Sequence, residues 1–150
     1  MNGGVLEDLL AHVPGARGVW RGVFPRDKIP QRVTYPSAYV FNTHPHNKEG
    51  EHWVAVYIDG DGVGEYFDSF GLPPLLESFG NFMFETTVEW IFNRFTIQGV
   101  TANTCGHFCV YYLARKFAGD SMRGILAEFS EDERRNDDIV YDFVDRIAVT

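Results

Sequence analysis

From Cys105 onward the apolar residues recur at helical spacing. Phe108, Cys109, Tyr112, Leu113 and Phe117 form one stripe, which predicts a helix with a core-facing side that ends at Gly119-Asp120. Ala38-Tyr-Val-Phe41 and the run from Glu51 to Ile58 are rich in β-branched and aromatic residues and predict strands. Val63 to Asp68 follows across Asp59-Gly-Asp-Gly62, so these last two runs predict a hairpin. An amphipathic helix over residues 4 to 13 stops at Pro14-Gly15, and the stretch beyond it, with Pro25, Pro30 and Pro36, reads as loop. Leu75 to Phe95 is mostly helical in pattern, interrupted at Gly80, and Phe95 to Gln98 is a short extended piece before the cysteine helix. Two more helices are expected at the end. The last opens on the capping-box sequence Ser130-Glu-Asp-Glu133 and turns Ile139, Phe143, Val144 and Ile147 inward. Strands in the middle with helices at both ends predict an α+β fold. The length of 150 residues predicts one domain over residues 1 to 150.

Composition narrows the class. The chain is 45% hydrophobic and 15% aromatic, and no apolar run approaches the roughly 18 residues of a membrane span. Two acids within the first apolar run, and no basic lead before it, argue against a secretory signal. The two cysteines lie four apart on one predicted helix, where their side chains are poorly placed to bridge, so a reducing, intracellular setting is expected. A net charge of −8 disfavours nonspecific nucleic-acid binding. Arg17, Arg21, Arg26, Lys28 and Arg32 make one basic stretch, broken by Asp27, that reads as a solvated face.

The cysteine helix carries the chemistry. Cys105 falls in the first turn, where unpaired N–H groups and the helix dipole favour thiolate over thiol, and Asn103 or Thr104 is placed to cap. Gly106 leaves room beside the sulfur for an incoming carbonyl. A cysteine nucleophile needs a histidine as proton carrier and a third group to orient it. His52 opens the first hairpin strand and Asp68 closes the second. A two-residue loop would set His52 opposite Ser69 and send Asp68 to the other face. Only a three-residue loop or a glycine bulge puts both on one face, and that is the expected register. Gln98, seven positions upstream of the cysteine, would join the Cys105 N–H in stabilising an oxyanion. Asp59 to Gly64 has an incomplete set of calcium ligands, and His44-Pro-His46 lacks further partners, so no metal and no cofactor is expected. His107 is turned about 200° around the helix from Cys105, and Glu51 points to the sheet face opposite His52.

These residues resemble the adenovirus-type cysteine endopeptidases, or adenains, in the clan that includes the SUMO and NEDD8 deconjugating proteases. The likeness is carried by the order His52-Trp53, Tyr66-Phe67-Asp68-Ser69-Phe70-Gly71, Gln98 and Cys105-Gly106, and extends over residues 5 to 147. It implies a papain-like fold of the adenain/Ulp type. It also implies an endopeptidase with Cys105 as nucleophile, His52 as general base and acid, Asp68 as orienting carboxylate and Gln98 as oxyanion donor. Trp53 and Gly106 would border the substrate channel. The implied substrates are glycine-rich sites in structural precursor proteins of a virus or virus-derived element. The implied location is the host cytoplasm or nucleus, or the virion. A deconjugase of ubiquitin-like proteins is the alternative, with an acetyltransferase effector or an inactive binding module behind it. Adenains carry glutamate where Asp68 stands. They also take an activating peptide through a cysteine between acid and glutamine, and residues 69 to 97 contain none, so disulfide activation is not expected. The acidic charge argues against DNA stimulation. Met1-Asn-Gly-Gly4 resembles the family's cleavage sites, which would place a self-cleavage point at Gly4-Val5.

Overall fold

The computed structural model describes residues 1–45, 52–99 and 102–148. In chain order the elements are α1 (Gly3–Ala11), β1 (Trp20–Pro25), β2 (Ser37–Asn42), β3 (Trp53–Ile58), β4 (Val63–Phe67), α2 (Glu77–Thr86), β5 (Glu89–Phe92), α3 (Cys105–Phe117), α4 (Met122–Leu126) and α5 (Glu133–Ala148). The strands form one mixed sheet in the order β1-β2-β3-β4-β5. The inner pairs β2–β3 and β3–β4 are antiparallel, and both edge strands run parallel to their neighbours.

Strand alternation divides the apolar side chains between two cores. Ala38, Val40, Trp53, Ala55 and Phe67 pack toward α3, together with α1 and α5. Tyr39, Phe41, Val54, Val56, Ile58 and Tyr66 pack on the other side against Phe79, Phe82 and Met83 of α2. Because both faces are covered, β2 and β3 read in the sequence as continuous apolar runs rather than alternating ones. Helix α3 is buried on nearly every side, and the Tyr112 ring lies parallel to Phe67 with centroids 4.5 Å apart. Each large apolar side chain buried in this way contributes about 1.5–3 kcal/mol. Among the described residues, no helix is long and apolar enough to cross a membrane.

Several elements differ from the sequence-based expectation. β1 lies in the proline-punctuated stretch read as loop. It is a half-exposed edge strand, with an irregular register between Trp20 and Gly22 and a proline at its end, so it carries no alternation to detect. The helix expected from Leu75 to Phe95 is two elements. α2 stops at Thr86, where the hydroxyls of Thr86 and Thr87 donate back to the carbonyls of Phe82 and Met83, and the chain then extends into β5. Phe95 to Gln98 forms no strand, but the N–H groups of Ile97 and Gln98 both donate to the Ser69 carbonyl, at 2.8 and 3.2 Å. The cap of α5 is Asp132 rather than Ser130, since Asp132 Oδ1 accepts from the Arg135 N–H at 3.1 Å. At the amino end Asn2 caps α1 by accepting from the Val5 N–H at 2.9 Å, so Gly4 and Val5 are helical rather than extended as a cleavage site would be. Glu51, the expected start of β3, and His46 lie outside the described residues.

Gly71 sits just beyond β4 at φ +73°, and a Cβ there would come within 2.5 Å of the Phe95 carbonyl carbon. Gly71→Ala is therefore expected to cost about 2–3 kcal/mol, lowering the melting temperature by roughly 4–12 °C. Gly18→Ala has a similar φ of +82° and meets nothing within 4 Å. It isolates the backbone strain, and a thermal scan showing equal losses for the two would contradict the steric reading.

Candidate active site

The hairpin turn decides whether the site exists. Asp59 Oδ1 accepts from the N–H groups of Asp61 and Val63, both at 2.9 Å, and the Val63 carbonyl accepts from the Asp59 N–H at 2.9 Å. Gly60, Asp61 and Gly62 form the loop, and Gly62 takes φ +84°, a conformation that favours glycine. The three-residue loop sets Ala55 opposite Phe67 and Ile58 opposite Gly64. Continued to the strand ends, that register makes His52 and Asp68 diagonal neighbours on one face. It also gives the Asp59 carboxylate a structural task within the turn.

His52 Nε2 lies 2.9 Å from Asp68 Oδ1. The same carboxylate oxygen accepts from the Phe70 N–H at 2.8 Å, and the Phe70 ring stacks on the imidazole with centroids 4.9 Å apart. With Nε2 on Asp68, the second ring nitrogen is left for the Cys105 side chain, which is hydrogen-bonded to His52. Burial of the imidazole by itself lowers its pKa. Hydrogen bonds and charge from Asp68 and Cys105 outweigh that and raise it to about 9. Cys105 begins α3 and is only 4% exposed, so its side chain is reached only through a confined opening.

The expected cap is not made. Thr104 occupies the capping position of α3, but its hydroxyl donates to Asp137 Oδ1 of α5 at 2.8 Å instead of accepting from the helix. Gln98 is buried. Its Oε1 accepts from the Ser69 hydroxyl, and its Nε2 donates to the Ala102 carbonyl at 2.8 Å. These contacts fix which end of the amide is nitrogen and direct it to the segment that precedes Cys105. Trp53 is buried beside Gly106, with Cδ1 3.5 Å from the point a Cβ on that glycine would occupy, and Met1 packs against the same glycine. His107 is directed elsewhere. Its ring meets Tyr141 edge-on at 4.6 Å, and its pKa is lowered by burial and by the nearby terminal amine, against the opposing charge of Asp145.

Three supports escaped the sequence reading. Asn93 holds the backbone of Asp68 from both sides, accepting its N–H at 2.9 Å and donating to its carbonyl at 2.6 Å. It falls in the stretch read as helix, where it carried no signal. Ser69 orients Gln98 as described above. Asn136 donates to the Ile97 carbonyl at 3.1 Å and, with Asp137, ties α5 to the segment carrying Gln98 and Thr104. Its signal was present, because Asn136 shares the inward spacing of Val140 and Val144 and is a polar residue at a core position.

A mixed sheet with helices on both faces, and a cysteine at the start of the helix that crosses it, is the papain-like α+β fold of the adenain/Ulp type. Among solved structures, the chain is similar to a protease of ASFV, with a TM-score of 0.50 and 23% identity over 67% of this chain and 42% of that one. It is also similar to ChlaDub1 of Chlamydia trachomatis, with a TM-score of 0.54 and 16% identity over 76% of this chain and 59% of the other. The central domain of the uncharacterized Legionella pneumophila protein Lpg1148 matches over 98% of both chains, with a TM-score of 0.54 and 15% identity. The chain thus spans about half the length of the first two, and likenesses at these identities establish the fold alone. No protein-family model and no curated protein matches the chain.

The raised His52 pKa has a testable sign. In the unfolded chain the imidazole titrates near 6.5, so its contribution to stability is fully present below that pH and is lost as pH rises through about 9. Asp68→Asn removes the neighbouring charge and should lower the His52 pKa by about 1–3 units in an NMR titration. The stability deficit of this variant relative to wild type should be largest near and just below pH 6.5 and should shrink as pH rises through about 9. An unchanged His52 titration would contradict the assignment.

Proposed function

We propose that this chain is a cysteine endopeptidase that cuts protein substrates after small residues, with glycine at the scissile position. The observation that carries this reading is one imidazole engaged by both a carboxylate and a thiol, with Asp68 Oδ1 on Nε2 and the Cys105 side chain hydrogen-bonded to the same ring. In this mechanism His52, kept charged by its raised pKa, already holds the Cys105 proton when the sulfur bonds to the substrate carbonyl carbon. The oxyanion is held by the Cys105 N–H and by the Gln98 Nε2 hydrogen not used by Ala102. When the tetrahedral intermediate collapses, the C–N bond breaks and His52 returns the proton to the departing amine. Water, deprotonated by His52, then hydrolyses the thioester and restores the thiol. Asp68 keeps the ring in place and stabilises the imidazolium.

Confinement supports the small-residue preference. With Trp53 and Met1 against Gly106 and Cys105 nearly covered, a glycine backbone fits where a larger side chain would collide. The resemblance to adenains supports glycine-rich sites in structural precursors of a virus or virus-derived element as the natural substrates, cut inside the host cell or the virion. Activation through a disulfide-linked peptide, or by DNA, is not part of the proposal.

Fluorogenic peptides with Gly-Gly before the scissile bond test it. Wild type should cleave them, Cys105→Ala should lower kcat/KM by at least about 10³-fold, and Gln98→Ala by about 10²–10³-fold. Reaction with ubiquitin-like vinyl sulfones but with none of the peptides would assign the site to deconjugation instead. Equal turnover by wild type and Cys105→Ala would end the proposal.

A further inference from the structure

We infer a second determinant of cleavage on the leaving-group side: an apolar pocket beside His52 that takes a leucine- or phenylalanine-like side chain from the residue bearing the departing amine. The inference rests on the peptidase reading. The pocket has a volume of about 270 Å³, and its lining includes Leu72, Leu75, Leu76 and Phe79 together with His52 and Asp68. That volume is below the roughly 300–1,000 Å³ of pockets that hold whole small molecules, and it suits a single large side chain.

Its side of the scissile bond follows from the strand pleat and from the chemistry. Trp53 faces the α3 core and lies against Gly106, so the acyl half, which stays bonded to sulfur, belongs on that side. Tyr66 and Phe79, which also line the pocket, belong to the α2 core on the opposite side of the sheet. His52 lines this pocket, is hydrogen-bonded to Cys105 at the start of α3 and must hand its proton to the departing amine, so the residue bearing that amine passes over the pocket. Charge then sets the class of side chain. Among the described residues, the only carboxylate in the wall, Asp68, is already committed to His52 and the Phe70 N–H, and the charged imidazole of His52 is committed to Asp68 and Cys105. A charged substrate side chain would be desolvated there without an uncommitted partner. Leu72 and Leu75 stand 46% and 73% exposed at the rim, apolar surface that a bound side chain would cover.

Peptides of the form Gly-Gly-X, with X as leucine, phenylalanine, glycine, serine or aspartate after the scissile bond, test the pocket. Leucine or phenylalanine should exceed glycine in kcat/KM by about 10-fold or more, and Leu72→Asp with Leu75→Asp should collapse that ratio. Both substituted residues are at the surface, and circular dichroism checks that the variant folds. Cleavage with no preference among X, or a preference the double variant leaves intact, overturns the pocket and leaves the peptidase reading standing. Failure to cleave any peptide, with no enhanced thiol reactivity, overturns both. A cleavage-independent arm uses Cys105→Ala titrated with a peptide that begins with leucine. Shifts of the Leu72, Leu75 and Leu76 methyl signals support the pocket, and silence at all three contradicts it.

Discussion

Everything at the site depends on one imidazole being held from two sides, and that grip depends on the parity of a turn. With Gly60, Asp61 and Gly62 in the loop, β3 and β4 pair so that His52 and Asp68 meet at 2.9 Å. One residue fewer would turn every side chain of β4 to the opposite face and carry the carboxylate away. The same slip would move Phe67 out of the α3 core and Tyr66 out of the α2 core, so packing and chemistry demand the same register. The site is therefore tied to the stability of the sheet rather than to a mobile loop.

Around that contact, polar groups fix backbone that no apolar packing could position. Asn93 brackets Asp68, Ser69 sets the Gln98 amide, and Asn136 with Asp137 fastens the approach to Cys105 onto α5. Each is a buried or partly buried group whose hydrogen bonds would be costly to leave unmade. They join four separate stretches of chain at one end of the sheet. Chemistry that needs atoms placed within a fraction of an ångström is favoured by such bracing.

Much of this was legible before any coordinates. The helical stripe after Cys105 and the β-branched runs around Asp59-Gly-Asp-Gly62 are strong local patterns, and the structure forms the helix and hairpin they predict. The requirement for an odd loop came from strand parity alone, and the observed register meets it. What escaped detection lacked periodicity or depended on distant partners. β1 is a short edge strand with half-exposed residues and a proline at its end. The α2–β5 boundary is set by Thr86 and Thr87 folding onto the preceding turn, within a stretch whose apolar spacing still suits a helix. The caps were misread for a similar reason. Thr104 has the right residue type for capping, but a carboxylate from α5, brought in only by tertiary packing, takes its hydroxyl. Asn93 gives no local sign that it will bracket Asp68, 25 positions upstream.

The most direct test of the imidazole-held thiol is its alkylation rate with substoichiometric iodoacetamide from pH 5 to 10, in wild type and in His52→Ala, with peptide mapping to separate Cys105 from the fully buried Cys109. Pairing with His52 predicts fast modification confined to Cys105 at pH values below the ordinary thiol range near 8.5, and a marked slowing in the variant. Equal rates in the two proteins, each rising only near pH 8.5, would contradict it.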